Sequence, residues 1–275
     1  MANLHDSHAR SVLPIPDKAY AGPILYDAKD PDVHFPPIEQ LRPPEGAPNV
    51  LIILLDDVGF GTASTFGGPC NTPTFDAVAA DAVRYTRFHT TALCSPTRAA
   101  LLSGRNHHSV GMGGITEIAT SAPGYTSLRP NTMAPLAETL KLNGYSTAQF
   151  GKCHEVPVWQ TSPMGPFDNW PAGGGGFEYF YGFIGGEDNQ WNPALYEGLT
   201  PVEPTKTPEE GYHLTEDLAD HAISWVRQQK GLMPDKPFFM YFAPGAKYTK
   251  NGLSGISAFC WRTQSIALSV MSSVK

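Results

Sequence analysis

One uninterrupted apolar run at residues 49–55 constrains the fold of this chain more than any other stretch. It reads Asn-Val-Leu-Ile-Ile-Leu-Leu, without the alternation of a half-exposed strand. Such a run is typical of a strand buried on both faces, as in a parallel sheet covered by helices. Residues 238–243 form a second run of this kind, and residues 215–230 have the spacing of an amphipathic helix. We therefore predict an α/β fold.

Length and charge exclude several classes of protein. The chain has 275 residues, which is enough for a substantial core, and its formal net charge of -7 argues against a nucleic-acid-binding surface. No stretch approaches the apolar length of a membrane span, and residues 1–14 lack the apolar core of a signal peptide. We expect no membrane association and a cytoplasmic location. The 4 cysteines have no zinc-type spacing and are too few for a disulfide framework.

Two neighbouring carboxylates, Asp56 and Asp57, follow the first apolar run directly. Open α/β sheets bind their ligands at the carboxyl ends of their strands. Adjacent aspartates repel each other and are costly to bury together without a cation. Their hard oxygen atoms suit Ca²⁺ or Mg²⁺, so the pair is a candidate metal site. The alternative is a solvated turn at the end of a strand.

Cys94 begins a loop-to-helix segment that reads Cys-Ser-Pro-Thr-Arg and continues with good helix formers up to Gly104. Pro96 suits a first helical turn, so Cys94 is predicted at a helix N-terminus, where free N–H groups favour an anion. Arg98 lies about one turn further on and adds a positive charge. This combination predicts a site for phosphate or sulfate chemistry. The alternative is that Cys94 is a small buried apolar residue.

A second polar pair, Lys152 and His154, follows a predicted strand at residues 145–150. Alternation along an extended chain points the two side chains the same way, and an ammonium beside an imidazole suits an oxyanion and proton transfer. The alternative is an ordinary solvated lysine and histidine. Two further predictions concern secondary structure: a strand at residues 82–91 leading towards Cys94, and a helix at residues 131–142.

Together these motifs resemble the type I sulfatases. The resemblance rests on Cys94-Ser95-Pro96-Thr97-Arg98 followed by Ser-Gly-Arg, on the aspartate pair after the first strand, and on Gly151-Lys152-Cys153-His154, although the family usually has an aromatic residue at position 153. It implies an alkaline-phosphatase-like core with a mixed, mostly parallel sheet flanked by helices. It also implies that Cys94 is oxidised to formylglycine by the formylglycine-generating enzyme.

The resemblance further implies a sulfuric ester hydrolase of the arylsulfatase type that acts on small-molecule sulfate esters. Asp56, Asp57 and residue 94 would bind Ca²⁺, with Mg²⁺ as the alternative. Hydrated formylglycine would attack sulfur, Arg98 and Lys152 would stabilise the charge, and His154 would assist release of sulfate. Two other functions stay open: a phosphate or phosphonate monoester hydrolase of the same superfamily, and a non-catalytic fragment.

The sequence divides into three predicted regions. Residues 1–48 are rich in proline and read as an extended arm. Residues 49–246 resemble part of a sulfatase catalytic domain, and residues 247–275 form a divergent tail without likeness to the family. We therefore expect a C-terminally truncated fold with an exposed apolar sheet edge, an incomplete Ca²⁺ shell and weak or absent catalysis.

Overall fold

The computed structural model describes residues 21–34 and 41–245. The predictions for the remainder of the arm and for the tail at residues 247–275 lie outside the described residues. Residues 21–34 belong to a unit of their own and contain turns but neither helix nor strand. In these turns the carboxylates of Asp27 and Asp30 accept hydrogen bonds from the backbone N–H groups two residues on. The division of the chain into arm, catalytic region and tail stays a prediction.

A six-stranded sheet forms the centre of the second unit. Its strands are β1 (Val50–Ile53), β2 (Ser146–Lys152), β3 (Tyr179–Phe183), β4 (Leu195–Glu197), β5 (Thr200–Val202) and β6 (Phe238–Ala243). Their order in the sheet is β1-β6-β2-β3-β4-β5; the first four run parallel, whereas β4 and β5 are antiparallel to their neighbours. The predicted mixed, mostly parallel sheet is confirmed.

Within residues 21–34 and 41–245, four α-helices accompany the sheet: α1 (Pro73–Ala80), α2 (Cys94–Ser103), α3 (Leu136–Lys141) and α4 (Leu214–Leu232). Alternate residues of β6 enter two different cores. Phe238, Met240 and Phe242 pack with the apolar face of α4, whereas Phe239 and Tyr241 pack with side chains of α2 and α3. Helices therefore cover both faces of the sheet, as predicted. Within the described residues, no helix combines the length and the apolar character needed to cross a bilayer.

Among the described strands, β1 lies at the edge of the sheet, and all its residues are only partly buried. Both faces of the strand are nevertheless covered, because Leu51 and Ile53 pack against the core that contains α4 while Val50 and Ile52 pack against the other core. The prediction of packing on both faces therefore holds, but burial is only partial. β2 and β6 are the strands with every residue buried, because each has a strand on both sides. Both β1 and β6 are apolar in sequence, so the order of the strands makes the difference in burial.

Two further predictions need correction. Residues 82–91 form no strand, and Val83, Tyr85 and Phe88 are strongly exposed, because no described strand pairs with this segment. The helix predicted at residues 131–142 is shorter: α3 begins only at Leu136. Pro135 precedes it in an extended conformation with ψ 142°, and a proline disfavours the helical conformation in the residue before it.

Candidate active site

The carboxyl ends of neighbouring elements bring the predicted site residues together. Asp56 and Asp57 follow β1, and Lys152 ends β2; both strands run parallel to β6, which lies between them. Cys94 is the first residue of α2, as predicted, and Gly104 ends that helix in the left-handed conformation. A cluster at this edge therefore follows from the parallel topology.

Asp56, Asp57 and Cys94 form a candidate metal site. One ligand atom from each lies within 4.8 Å of the others; Asp56 is buried, Asp57 is exposed and Cys94 is partly buried. Asp57 has a positive φ of 52°, which is uncommon outside glycine. The two carboxylates fit a hard divalent cation such as Ca²⁺, whereas a thiol does not. Residue 94 would fit the same cation only once its sulfur is replaced by oxygen.

Asp56 also accepts hydrogen bonds from two buried cationic side chains. The Nζ atom of Lys152 lies 2.7 Å from its Oδ2 atom, and the Nη2 atom of Arg98 lies 3.3 Å from its Oδ1 atom. Burial opposes ionisation of this carboxyl, but the bond and charge of Lys152, followed by those of Arg98, outweigh burial and lower the pKa of Asp56. Asp56 is therefore a carboxylate at neutral pH.

Arg98 is almost fully buried and donates hydrogen bonds to residues from three parts of the chain. Besides Asp56, its Nη1 atom donates to the carbonyl of Lys152 at 3.0 Å and to the hydroxyl of Tyr241 at 3.3 Å. Its Nε atom has no partner among the described residues. The sequence analysis missed Tyr241; the available signal was a single hydroxyl within the otherwise apolar strand at residues 238–243.

His154 has a different partner from Lys152. It lies beyond the end of β2 with a positive φ of 54°, and its Nε2 atom lies 2.8 Å and 3.1 Å from the two carboxylate oxygens of Glu117. Glu117 belongs to a short 3-10 turn, Thr116–Ile118, and is 37 residues away in sequence. It was missed because no motif marks it. Lys152 and His154, which the sequence alternation placed together, thus bind separate carboxylates.

An open cavity of about 700 Å³ adjoins the metal-site residues. Its polar end contains Asp56, Asp57, Cys94 and Arg98, whereas Lys152 and His154 are not among its lining residues. The remaining wall is mainly apolar and includes Val58, Phe60, Phe66, Phe75, Phe88 and Leu93. A ligand in this cavity can therefore reach residue 94 and the aspartate pair directly.

Comparison with known protein families gives one extensive match. The family model described as Sulfatase matches residues 48–248, which is well over half of the chain. This region contains all the residues of the candidate site.

Individual relatives agree with the family model. An uncharacterized sulfatase of Schizosaccharomyces pombe is 36% identical over 161 residues, which are 54% of this chain and 29% of that protein. The arylsulfatase of Klebsiella aerogenes is 28% identical over 206 residues, 71% of this chain and 42% of the enzyme. The chain thus spans less than half the length of these curated relatives.

The fold also has solved counterparts. YidJ of Bacteroides fragilis, a protein named as a sulfatase, matches with a TM-score of 0.63 at 15% identity. The match covers 87% of this chain and 60% of that one. At this identity the likeness concerns the fold, and it agrees with an alkaline-phosphatase-like core.

Proposed function

The chain belongs to the sulfatase family, and from this premise we propose that it hydrolyses small-molecule sulfate esters at residue 94. The observation that carries the proposal is the approach of two adjacent carboxylates to Cys94, with all three ligand atoms within 4.8 Å. A divalent cation offsets the repulsion between the carboxylates and brings positive charge next to residue 94. This arrangement suits a nucleophile that attacks an anionic ester.

Asp56 and Asp57 would hold Ca²⁺, with Mg²⁺ as the alternative, together with an oxygen of the modified residue 94. Formylglycine, formed from Cys94 by the formylglycine-generating enzyme, supplies a hydrated aldehyde as the oxygen nucleophile. Ca²⁺ takes about six to eight oxygen ligands, so water or further protein groups complete its shell. The half-exposed position of Cys94 at the start of α2 leaves it accessible for this modification.

Arg98 and Lys152 supply the positive charge that a sulfate group requires. Both are buried, and both already bind Asp56, so their positions are fixed before substrate arrives. Charges held in place in a site shielded from water stabilise developing negative charge more effectively than mobile ones. We assign Arg98, which lines the cavity, to the sulfate oxygens, whereas Lys152, which does not line it, would stabilise the charge through its ion pair with Asp56.

His154 would carry the proton transfer that accompanies release of sulfate. Burial, assisted by the positive charges of Lys152 and Arg98, lowers the pKa of His154 despite the opposing effect of Glu117. The ring is therefore neutral at neutral pH and can accept a proton.

The apolar wall of the cavity supports a sulfate ester with an aromatic leaving group. Four phenylalanines line it, and its only charged lining residues are those of the candidate site. Aryl groups pack well against such side chains. The Klebsiella aerogenes relative, named as an arylsulfatase, is consistent with this substrate class.

The decisive experiment combines mass spectrometry with hydrolysis assays. The chain is coexpressed with the formylglycine-generating enzyme, the peptide containing residue 94 is analysed for the aldehyde, and turnover of an aryl sulfate is compared with that of the matching aryl phosphate. We expect the aldehyde, preferential sulfate hydrolysis, and no hydrolysis by Cys94→Ala.

Other outcomes would contradict the proposal in different ways. Preferential cleavage of the aryl phosphate would favour a phosphate esterase. Neither aldehyde nor hydrolysis would favour a non-catalytic chain. Retained hydrolysis in Cys94→Ala would rule out residue 94 as the nucleophile.

A further inference from the structure

The contact between Glu117 and His154 specifies which ring nitrogen carries a proton. Both oxygens of the Glu117 carboxylate face Nε2, at 2.8 Å and 3.1 Å. A carboxylate can only accept a hydrogen bond, so Nε2 must be the protonated nitrogen. In the neutral ring Nδ1 then bears the free lone pair. Nδ1 is buried and has no hydrogen-bond partner among the described residues.

The charges around His154 agree with this assignment. Glu117 faces the ring from its 3-10 turn, while Lys152 of β2 and Arg98 of α2 add positive charge. Burial of Glu117 opposes its ionisation, but the hydrogen bond from His154, a backbone hydrogen bond, the charge of His154 and the hydrogen bond from Thr116 together outweigh burial and lower the pKa of Glu117. A neutral ring next to an ionised carboxylate is the state that donates from Nε2.

Packing confines the ring to this orientation. His154 is buried, and its backbone N–H donates to the carbonyl of Ile184 at 3.1 Å. Gly186 lies against the ring so closely that a Cβ there would be 2.6 Å from Cε1 and 2.7 Å from Nε2. Rotation of the ring is therefore restricted, and the tautomer depends on the group that faces Nε2.

We propose that Glu117 is a positioning residue for His154: it accepts the Nε2–H bond, fixes the tautomer, and leaves Nδ1 as the nitrogen that takes up and returns protons at the site. The inference rests on the proposed function only in assigning proton transfer to Nδ1. The tautomer itself is a property of the folded chain.

Nitrogen-15 NMR tests the tautomer without any turnover. Long-range proton–nitrogen spectra of the full chain distinguish a protonated Nε2 from a protonated Nδ1, and His154→Gln identifies the signals. We expect the Nε2–H form in the parent protein. In Glu117→Gln we expect a detectable Nδ1–H form and a lower pKa of His154, because the stabilising negative charge is gone. Glu117→Asp should retain much of the parent spectrum.

Glu209→Gln is the matched control, because Glu209 is likewise the middle residue of a three-residue 3-10 turn, Pro208–Glu210, and is exposed. It should leave the His154 signals unchanged. A parent protein protonated on Nδ1, or identical His154 signals in the Glu117→Gln and Glu209→Gln proteins, would overturn the inference.

Activity provides the second measurement. If aryl sulfate hydrolysis depends on Cys94, Glu117→Gln should lower kcat by about tenfold or more with little change in KM, as expected when proton transfer is impaired. An unchanged kcat would refute proton transfer through Nδ1 while leaving the proposed function intact. Conversely, a parent chain without hydrolysis would contradict the proposed function, and the spectrum would still decide the role of Glu117.

Discussion

The ammonium of Lys152 lies 2.7 Å from the Oδ2 atom of Asp56, although 96 residues separate them in sequence. The lysine side chain is fully buried and the aspartate is 5% exposed. This ion pair links the carboxyl end of β1 to that of β2, with Arg98 as a second cation on the same carboxylate. Two buried positive charges thus share one carboxylate.

Asp56→Asn should strongly destabilise the chain. Removing one partner from a buried ion pair leaves its counter-charge uncompensated, which costs about 3–5 kcal/mol. Asp57→Asn is the matched control: because Asp57 is exposed, this substitution should change the free energy of unfolding little. Urea unfolding in the presence of a chelator measures both. Equal free energies of unfolding for the two variants would contradict the structural role assigned to Asp56.

The same pair should make stability sensitive to acid. Because the pKa of Asp56 is lowered on folding, its contribution is present above the ordinary carboxyl pKa and is lost as the pH falls through the folded value. Unfolding experiments from neutral to acidic pH should therefore show the difference between parent and Asp56→Asn shrinking in acid. A constant difference would be evidence against a charge effect.

Added Ca²⁺ should stabilise the folded chain after conversion of residue 94. A ligand that binds only the native state stabilises it by about 2.7 kcal/mol at a hundred times its Kd. Thermal unfolding with and without Ca²⁺ measures this effect. Asp57→Asn should abolish the rise in Tm, because it removes one ligand without disturbing the core. A rise of equal size in that variant would place the ion elsewhere.

His221 should stabilise the chain at mildly acidic pH. Its Nδ1 atom lies 3.2 Å from Oδ1 of Asp217, and its ring stacks on Tyr181 of β3. Burial lowers the pKa of His221, but the side-chain and backbone hydrogen bonds to Asp217 and the negative charges of Asp217 and Glu197 together outweigh burial, so the net shift of the pKa is upward. The stabilisation is therefore complete below about pH 6.5 and is lost as the pH rises through the folded pKa.

The test compares His221→Gln with the parent at about pH 6 and about pH 9 by urea unfolding. We expect the greater loss of stability at the lower pH, while substitution of the exposed His89 has no such effect. A larger loss of stability at the higher pH would contradict an upward shift in the pKa of His221.

Gly151→Ala should destabilise the centre of the sheet. Gly151 has a φ of 93°, and a Cβ there would lie 2.1 Å from the carbonyl oxygen of Ala243 in β6. Strain at such a position costs about 1–3 kcal/mol before the clash is counted. Gly231→Ala is the control. A Cβ at this position in α4 would enter open space, so the substitution should raise the free energy of unfolding by about 0.5 kcal/mol. Equal effects on the free energy of unfolding would contradict the close approach of β2 and β6.

The sequence predicted the strongly patterned elements well. The helix at residues 215–230 appears as α4, the run at residues 238–243 as β6, and the Cys94 segment as α2. In each, local pattern and tertiary environment agree. Residues 82–91 have strand-like composition, but no strand in the described part of the chain pairs with them, and a strand cannot be stable without its neighbours.

The roles of Cys94, Asp56, Asp57, Arg98, Lys152 and His154 stay predictions, as does the cytoplasmic location. The structure adds how these side chains are arranged. Asp56 contacts both buried cations and belongs to the candidate metal site, and His154 binds Glu117 whereas Lys152 binds Asp56. Only local spacing is encoded in a motif, so a partner 37 residues away could not be read from it.

The sequence by itself determined the family, the α/β class and which residue types gather at the strand ends, because motif spacing and hydrophobic pattern are local properties of the chain. The tertiary structure alone decided that β1 is an edge strand, that Tyr241 contacts Arg98 and that Glu117 binds His154. These contacts join residues distant in sequence, and they exist only once the strand order and the crossing of helices over the sheet are fixed.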